Sequence, residues 1–311
     1  AGVRVKFYDG KGMTVNGKLL ANGTADEHVL FTSKEPTPLP GDWTNIVLNG
    51  EDNVLTYVDY EYATDGFTGD GASGSTFDHL TMVGSLSLTA NGIYLTNSSN
   101  MTFTNNNISV AGNELLYCSE AANSTFSGNV LTGTGRGVYA NNAAGSTITN
   151  NEVNTSGSDG FEMDYCHNCL FDGNTVTGRP SNGIEARYSD NLTVTNNNLD
   201  VYNYGMSMHD GSYLTIENNT ITNFEECGIY FRSSENSVVE NNRLISSYYG
   251  GNKRGIDNDA SSQAAVINNN YVLVQIDNMG SERAYGIISH DSEIISDTVL
   301  ISIFENIDNS R

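Results

Sequence analysis

The chain has 311 residues and a formal net charge of −23, with 32 glycines, only 4 prolines and 38% hydrophobic residues. No segment reaches the roughly 18 consecutive apolar residues of a membrane-spanning helix, and so acidic a surface repels the phosphates of nucleic acid. A bulk polyanion is disfavoured for the same reason unless a cation such as Ca2+ intervenes on the acidic surface.

In chain order, residues 1–65 read as opening coils of a repeat structure. Val3-Arg-Val-Lys-Phe7 alternates apolar and basic residues, as an edge strand does, and Lys34–Pro40 (KEPTPLP) predicts a surface loop. The first 34 residues hold five of the 14 basic side chains, whereas Glu35 to Gly135 contains eleven acids and no Lys or Arg.

From residue 66 to 285 a repeat takes over. Asn106, Asn129, Asn151, Asn174, Asn197, Asn219, Asn242 and Asn270 follow at steps of 22 or 23 residues, the last step being 28. Each has an apolar residue three before it and another two after it, as in Phe103–Asn106–Ile108. A second marker runs in phase: Gly92-Ile-Tyr-Leu, Gly137-Val-Tyr-Ala, Gly160-Phe-Glu-Met, Gly183-Ile-Glu-Ala, Gly205-Met-Ser-Met, Gly228-Ile-Tyr-Phe, Gly255-Ile-Asp-Asn and Gly286-Ile-Ile-Ser. Such alternation is a half-buried strand, with positions one and three after the glycine inward and two and four outward. The coil at Glu114 has lost its glycine. A fixed period this short means one unit stacked on copies of itself, and an amide repeated once per coil predicts a hydrogen-bonded ladder at a turn. The last two periods lengthen, which predicts loops at Ser247–Arg254 and Asp277–Tyr285. Residues 286–311 form the final coil, with a strand-like run at Thr298–Phe304 flanked by Glu293, Asp297, Glu305 and Asp308. The expected fold is all-β: a right-handed parallel β-helix (β-solenoid) of about 12–13 coils at roughly 4.8 Å each, in one domain spanning 1–311.

Gly92–Asn107 (GIYLTNSSNMTFTNNN) and Gly228–Leu244 (GIYFRSSENSVVENNRL) resemble the right-handed parallel β-helix repeats of the pectin-lyase-like superfold, in particular the group with periplasmic copper-processing and carbohydrate-binding members. Met13–Thr24 (MTVNGKLLANGT), Phe31-Thr-Ser33 and Gly41-Asp-Trp43 resemble the opening coils of secreted bacterial and archaeal β-helix proteins, surface proteins among them. The resemblance implies the fold; the superfold hosts lyases, hydrolases, epimerases and non-enzymes, so function has to come from the site.

Aligning the coils gives two outward columns. Position four reads Thr96, Cys118, Asn141, Asp164, Arg187, His209, Arg232, Asp259, His290, and position two reads Tyr94, Leu116, Tyr139, Glu162, Glu185, Ser207, Tyr230, Asp257, Ile288. If the protein is an enzyme, Asp164, Arg187, His209, Tyr230 and Arg232 are the candidate catalytic residues. A uronate lyase or epimerase needs a cation for the substrate carboxylate, a base for the C5 proton and a second group to return one, while paired acids suit glycoside hydrolysis. Charges stacked along a sheet also stabilise an exposed face without any catalysis. The D-P-H-E motif of alginate epimerases is absent.

Cys166-His-Asn-Cys169 predicts a local disulfide or two free thiols rather than half a zinc site. Cys118 and Cys227 lie about two coils away, too far to join that pair, and are buried free thiols or intersubunit partners. Eight N-x-S/T sequons and a chain opening on Ala1 fit an extracellular or cell-surface protein. Taken together, the basic first end, the acidic last end and the lack of a capping helix favour a structural protein that assembles with itself by end-to-end stacking, Val3–Phe7 against Val299–Phe304, into a surface layer, sheath or fibre. A polysaccharide-acting enzyme and a non-catalytic glycan- or metal-binding module are the alternatives.

Overall fold

The structure, a computed structural model, describes residues 2–83, 90–246, 252–259, 262, 265–277, 283–289, 293–295 and 297–304. All regular structure among them is β-strand, and a coil contributes three strands. Ile93–Thr96, Thr102–Thr104 and Asn107–Val110 follow one another before Glu114–Ser119 opens the next coil. Each pairs in parallel with its counterpart one coil on, Thr102–Thr104 with Thr125–Ser127 and Asn107–Val110 with Val130–Gly133. The first strands make a 12-stranded sheet from Met13–Val15 to Ala284–Ser289. The second and third strands are joined because Val54–Tyr60 and Thr76–Val83 cross the corner and pair with both columns.

The three strands of each coil turn alternate residues inward. The second-strand column stacks Phe77, Phe103 and Phe126, with ring centroids 5.4 and 5.1 Å apart. Nearer the first coil, Trp43 is fully buried, stacks on Phe7 at 4.0 Å and donates its indole N–H to the Glu61 carbonyl at 2.7 Å. Lys34–Pro40 forms no strand and is largely exposed.

The repeated asparagine divides the second strand from the third. Asn129 Oδ1 accepts from both Asn106 N at 3.1 Å and Asn106 Nδ2 at 2.9 Å, and the same Nδ2 donates to the Phe77 carbonyl. The pattern repeats through Asn151, Asn174, Asn197, Asn219, Asn242 and Asn270, and Asp297 Oδ1 accepts at its far end. Each of these buried amides thereby satisfies its own polar atoms and the corner backbone. The preceding residue is left-handed in coil after coil: Asn105, Gly128, Asn150, Gly173, Asn196, Asn218, Asn241 and Asn269 all have φ between 52 and 68°. The Asn-Asn and Gly-Asn doublets thus do two jobs, the first residue bending the chain at low steric cost and the second bonding to the next coil.

The glycine that opens each coil is a matter of space. A Cβ on Gly137 would lie 2.4 Å from Val153 Cγ1, and one on Gly205 would lie 2.3 Å from Ile221 Cγ2. In the coil without it, Leu115 occupies the glycine position, and a Cβ on Gly133, on the third strand of the same coil, would lie 2.6 Å from Leu115 Cδ2. The missing glycine is therefore compensated by another. It also corrects the alignment of that coil by one residue: Leu116 and Cys118 pair with Ile93 and Leu95 and point inward, leaving Tyr117 and Ser119 outward.

Cys166 and Cys169 form a disulfide with Cα atoms 5.6 Å apart, in the turn between first and second strands. Cys118 and Cys227 are buried free thiols, Cys118 pushed up to about 12 by burial. The loops expected at 247–254 and 277–285 are shorter than that, since Lys253 and Arg254 stand in strand Lys253–Asn258, Asp277 ends strand Tyr271–Asp277, and Ala284 and Tyr285 open strand Ala284–Ser289. Residues 247–251 and 278–282 lie outside the described residues, as do His290, Glu305 and Asp308. Strand Thr298–Phe304 pairs in register with Tyr271–Asp277.

Candidate functional site

The outer face of the first sheet carries the charge. Asp164, Arg187, His209 and Arg232 occupy one register column on four successive strands, Asp159–Asp164, Asn182–Arg187, Tyr204–His209 and Cys227–Arg232. Tyr230 stands in the neighbouring column with Ser207, Glu185 and Glu162. The five candidate residues are thus brought together on adjacent strands. A parallel sheet does this without further instruction, since register repeats every coil and adjacent strands lie roughly 4.8 Å apart.

A third column lies one residue before each glycine. Glu114 pairs with Arg136, Asp159 with Asn182, and Asn182 with Tyr204. Sequence alignment from the glycine onward misses it, although Glu114, Arg136, Asp159 and Arg254 supplied the signal. Arg136 ties the columns together: its Nη2 meets Glu114 Oε1 at 2.6 Å and its Nη1 meets Glu162 Oε2 at 2.5 Å. Arg187 continues the chain, with Nη1 at 2.7 Å from Glu162 Oε1 and Nη2 at 2.7 Å from Glu185 Oε1. Both arginines are therefore engaged by carboxylates of their own chain.

Electrostatics divide these groups. Burial alone would raise Glu162, but its bonds to Arg136 and Arg187 outweigh that and hold it below the usual glutamate value. Asp159 is 4% exposed; burial, reinforced by the charges of Glu185 and Glu162, pushes it up to about 7. Burial also raises Asp164 and Glu114, against the pull of Arg187 and Arg136 respectively. His209 is lowered by burial, with Glu185 opposing and Arg187 and Arg232 adding to the fall. Its Nε2 lies 2.8 Å from Ser207 Oγ and 4.0 Å from Glu185 Oε1. The Tyr230 ring meets it edge-on at 5.8 Å, and burial followed by the charges of Asp259 and Asp257 raises the Tyr230 hydroxyl. Arg232 is exposed and makes no ion pair with any described residue. Chemically the face offers a neutral imidazole, a protonated phenol and an exposed guanidinium side by side.

Shallow clefts flank the sheet at the turn that enters it, one lined by Asn113, Glu114, Gly135, Arg136 and Ser158, another by Tyr202, Asn203, Glu226 and Arg254. Among the described residues no group of three or more His, Cys, Asp and Glu is placed to hold a metal ion.

Comparison with known proteins agrees with this architecture. No curated protein sequence matches the chain. The periplasmic alginate epimerase AlgG has a similar structure, with a TM-score of 0.63 and 13% identity over 92% of this chain and 78% of that one. The mannuronan C-5 epimerase AlgE6 A-module of Azotobacter vinelandii gives 0.53 and 15%, over 96% and 91%. At these identities the likeness is one of fold. The model of the periplasmic copper-binding protein (NosD) family matches residues 44–179. The model of the right handed beta helix region matches residues 136–299, more than half of the sequence; the chain belongs to the right-handed β-helix family.

Proposed function

We propose that the outer face of the first sheet acts on a uronate-containing polysaccharide by transferring the proton at C5, the step shared by uronate lyases and epimerases. The observation that carries this reading is the adjacency of His209, Tyr230 and Arg232. Neutral His209 takes the C5 proton as the C5–H bond breaks. The electron pair moves into the C6 carboxylate, whose growing negative charge Arg232 neutralises. Protonated Tyr230 then either returns a proton to C5, giving the epimer, or protonates the departing O4 as the C4–O bond breaks, giving the unsaturated lyase product.

Two solved structures of like fold are by name alginate and mannuronan C-5 epimerases, which agrees with this reading. Since the D-P-H-E motif is absent, the roles rest on this chain's own geometry. A periplasmic or extracellular setting fits the Cys166–Cys169 disulfide and the periplasmic family match.

The test is turnover on alginate, polygalacturonate and glucuronan, with and without added Ca2+ because the net charge of −23 opposes a bulk polyanion unless a cation intervenes, followed by unsaturated products and by NMR of epimer content. The wild type is expected to convert at least one. Arg232→Gln should cut kcat/KM by roughly tenfold or more, the scale of a lost charge-assisted contact. Failure of the wild type on every polyuronate would overturn the reading.

Self-association by end-to-end stacking is a second reading. Val3 and Leu20 are apolar yet 61% and 63% exposed, and strand Arg4–Phe7 pairs along one edge with Val29–Ser33. Sedimentation over a range of concentration tests it: growing polymers support it, and a constant monomer contradicts it.

A further inference from the structure

Tyr165 and Tyr188 are the first residues beyond strands Asp159–Asp164 and Asn182–Arg187. Both have left-handed backbones, with φ of 51 and 54°. Other coils fill this place with Asn97, Glu120, Asn142, Asp210 and Ser233 at φ between 50 and 55°. Asn and Asp tolerate that conformation, whereas a bulky aromatic residue there is an outlier. The backbone here would be satisfied by Asn or Asp, and the rings are not sheltered from water: they are 44% and 46% exposed. They form an offset stack, with centroids 5.1 Å apart and planes inclined by 18°.

A second observation concerns the residue next to the first ring. Asp164 is 9% exposed, and its Oδ1 is buried without a hydrogen-bond donor. Arg187 Nη1 stands 3.5 Å from that oxygen, and the Tyr139 hydroxyl lies 3.4 Å from Oδ2. That oxygen is closed to solvent and faces Arg187, so Asp164 helps hold the 37% exposed Arg187 guanidinium beside the rings. A pyranose matches this surface, with an apolar C–H face for the aromatic rings and hydroxyl oxygens at its rim for the guanidinium.

We infer that Tyr165 and Tyr188 form a sugar-stacking platform of a polysaccharide subsite, beside the Arg187 guanidinium that Glu162 and Asp164 hold. The inference rests on the polysaccharide reading above and adds a binding subsite to it. The platform begins directly beyond Asp164 and Arg187, so a chain seated there continues across the sheet toward His209, two strands on from Asp164.

The experiment is affinity electrophoresis through gels containing alginate, polygalacturonate or a neutral β-glucan, with Tm measured in parallel. Tyr165→Asn and Tyr188→Asn introduce the residue that Asn97 and Asn142 already place in this conformation, so Tm should hold or rise. Apparent affinity for the retarding polymer should fall about tenfold, equivalent to one lost stacking contact of about 1.4 kcal/mol. Tyr188→Trp should retain binding. Unchanged retardation of both Asn variants overturns the platform while leaving the proposed function intact, as does equal loss in Tyr188→Trp. A wild type retarded by none of the gels overturns the platform and the polysaccharide reading together.

Discussion

Arg187 and Glu162 meet across adjacent strands, Nη1 to Oε1 at 2.7 Å, and Glu162 gives its other oxygen to Arg136. A carboxylate only 7% exposed is thereby shared by two guanidiniums that are 37% and 29% exposed. Glu162→Gln removes the one negative charge common to both. The expected loss is about 1–3 kcal/mol at pH 7, less than for a fully buried pair because both arginines reach water. The sign with pH follows from the lowered folded-state value. The stabilisation is present above the unfolded glutamate pKa and is lost as pH falls through the folded one, so wild type and variant should converge in Tm in acid.

Asp159 behaves in the opposite sense. Its folded-state pKa is raised to about 7 by burial and neighbouring carboxylates, so its contribution is full below the unfolded aspartate value and is lost as pH rises toward 7. Asp159→Asn keeps the shape without the charge. At about 1.4 kcal/mol per pKa unit, the variant should be more stable than wild type at pH 8 by roughly 2–4 kcal/mol, with the difference closing near pH 4. Denaturant titrations at the two pH values measure it; equal differences at both would contradict the assignment.

The ladder makes a sharper demand. Asn174 Oδ1 accepts from Asn151 N and Nδ2, and Asn174 Nδ2 donates to Ile148 O and Asn197 Oδ1. Asn174→Ala strands buried partners on both neighbouring coils and should cost about 2–4 kcal/mol. Asn154→Ala, an exposed site on the third strand of the preceding coil, should be near neutral. Similar effects of the two on the urea midpoint would mean the ladder contributes little.

Much of this was legible in the residues. The asparagine and glycine periods identify stacked coils, and counting outward positions from each glycine places Asp164, Arg187, His209 and Arg232 in one column, because parallel register is inherited from coil to coil. Three things escaped. Leu115 replaces a glycine, so counting from Glu114 slips by one residue and turns Cys118 outward; the compensating space at Gly133 is visible only in three dimensions. The Glu114–Arg136 pair precedes the glycine and was outside the counted positions. The third strand follows the asparagine so closely that one apolar residue marks it. Side-chain reach, which decides that Arg187 is engaged by carboxylates and that Arg232 has no ion pair among the described residues, is not written in spacing at all.

The central claim is that His209 abstracts a uronate C5 proton, and solvent isotope exchange measures that step directly. Polyuronate incubated with the protein in D2O should acquire deuterium at C5 or yield an unsaturated product. The rate should rise with pH through a pKa below the ordinary imidazole value, since burial lowers His209, and should fall about 100-fold or more in His209→Ala. Exchange by the variant at the wild-type rate, or no deuterium and no elimination with any polyuronate, would contradict the account.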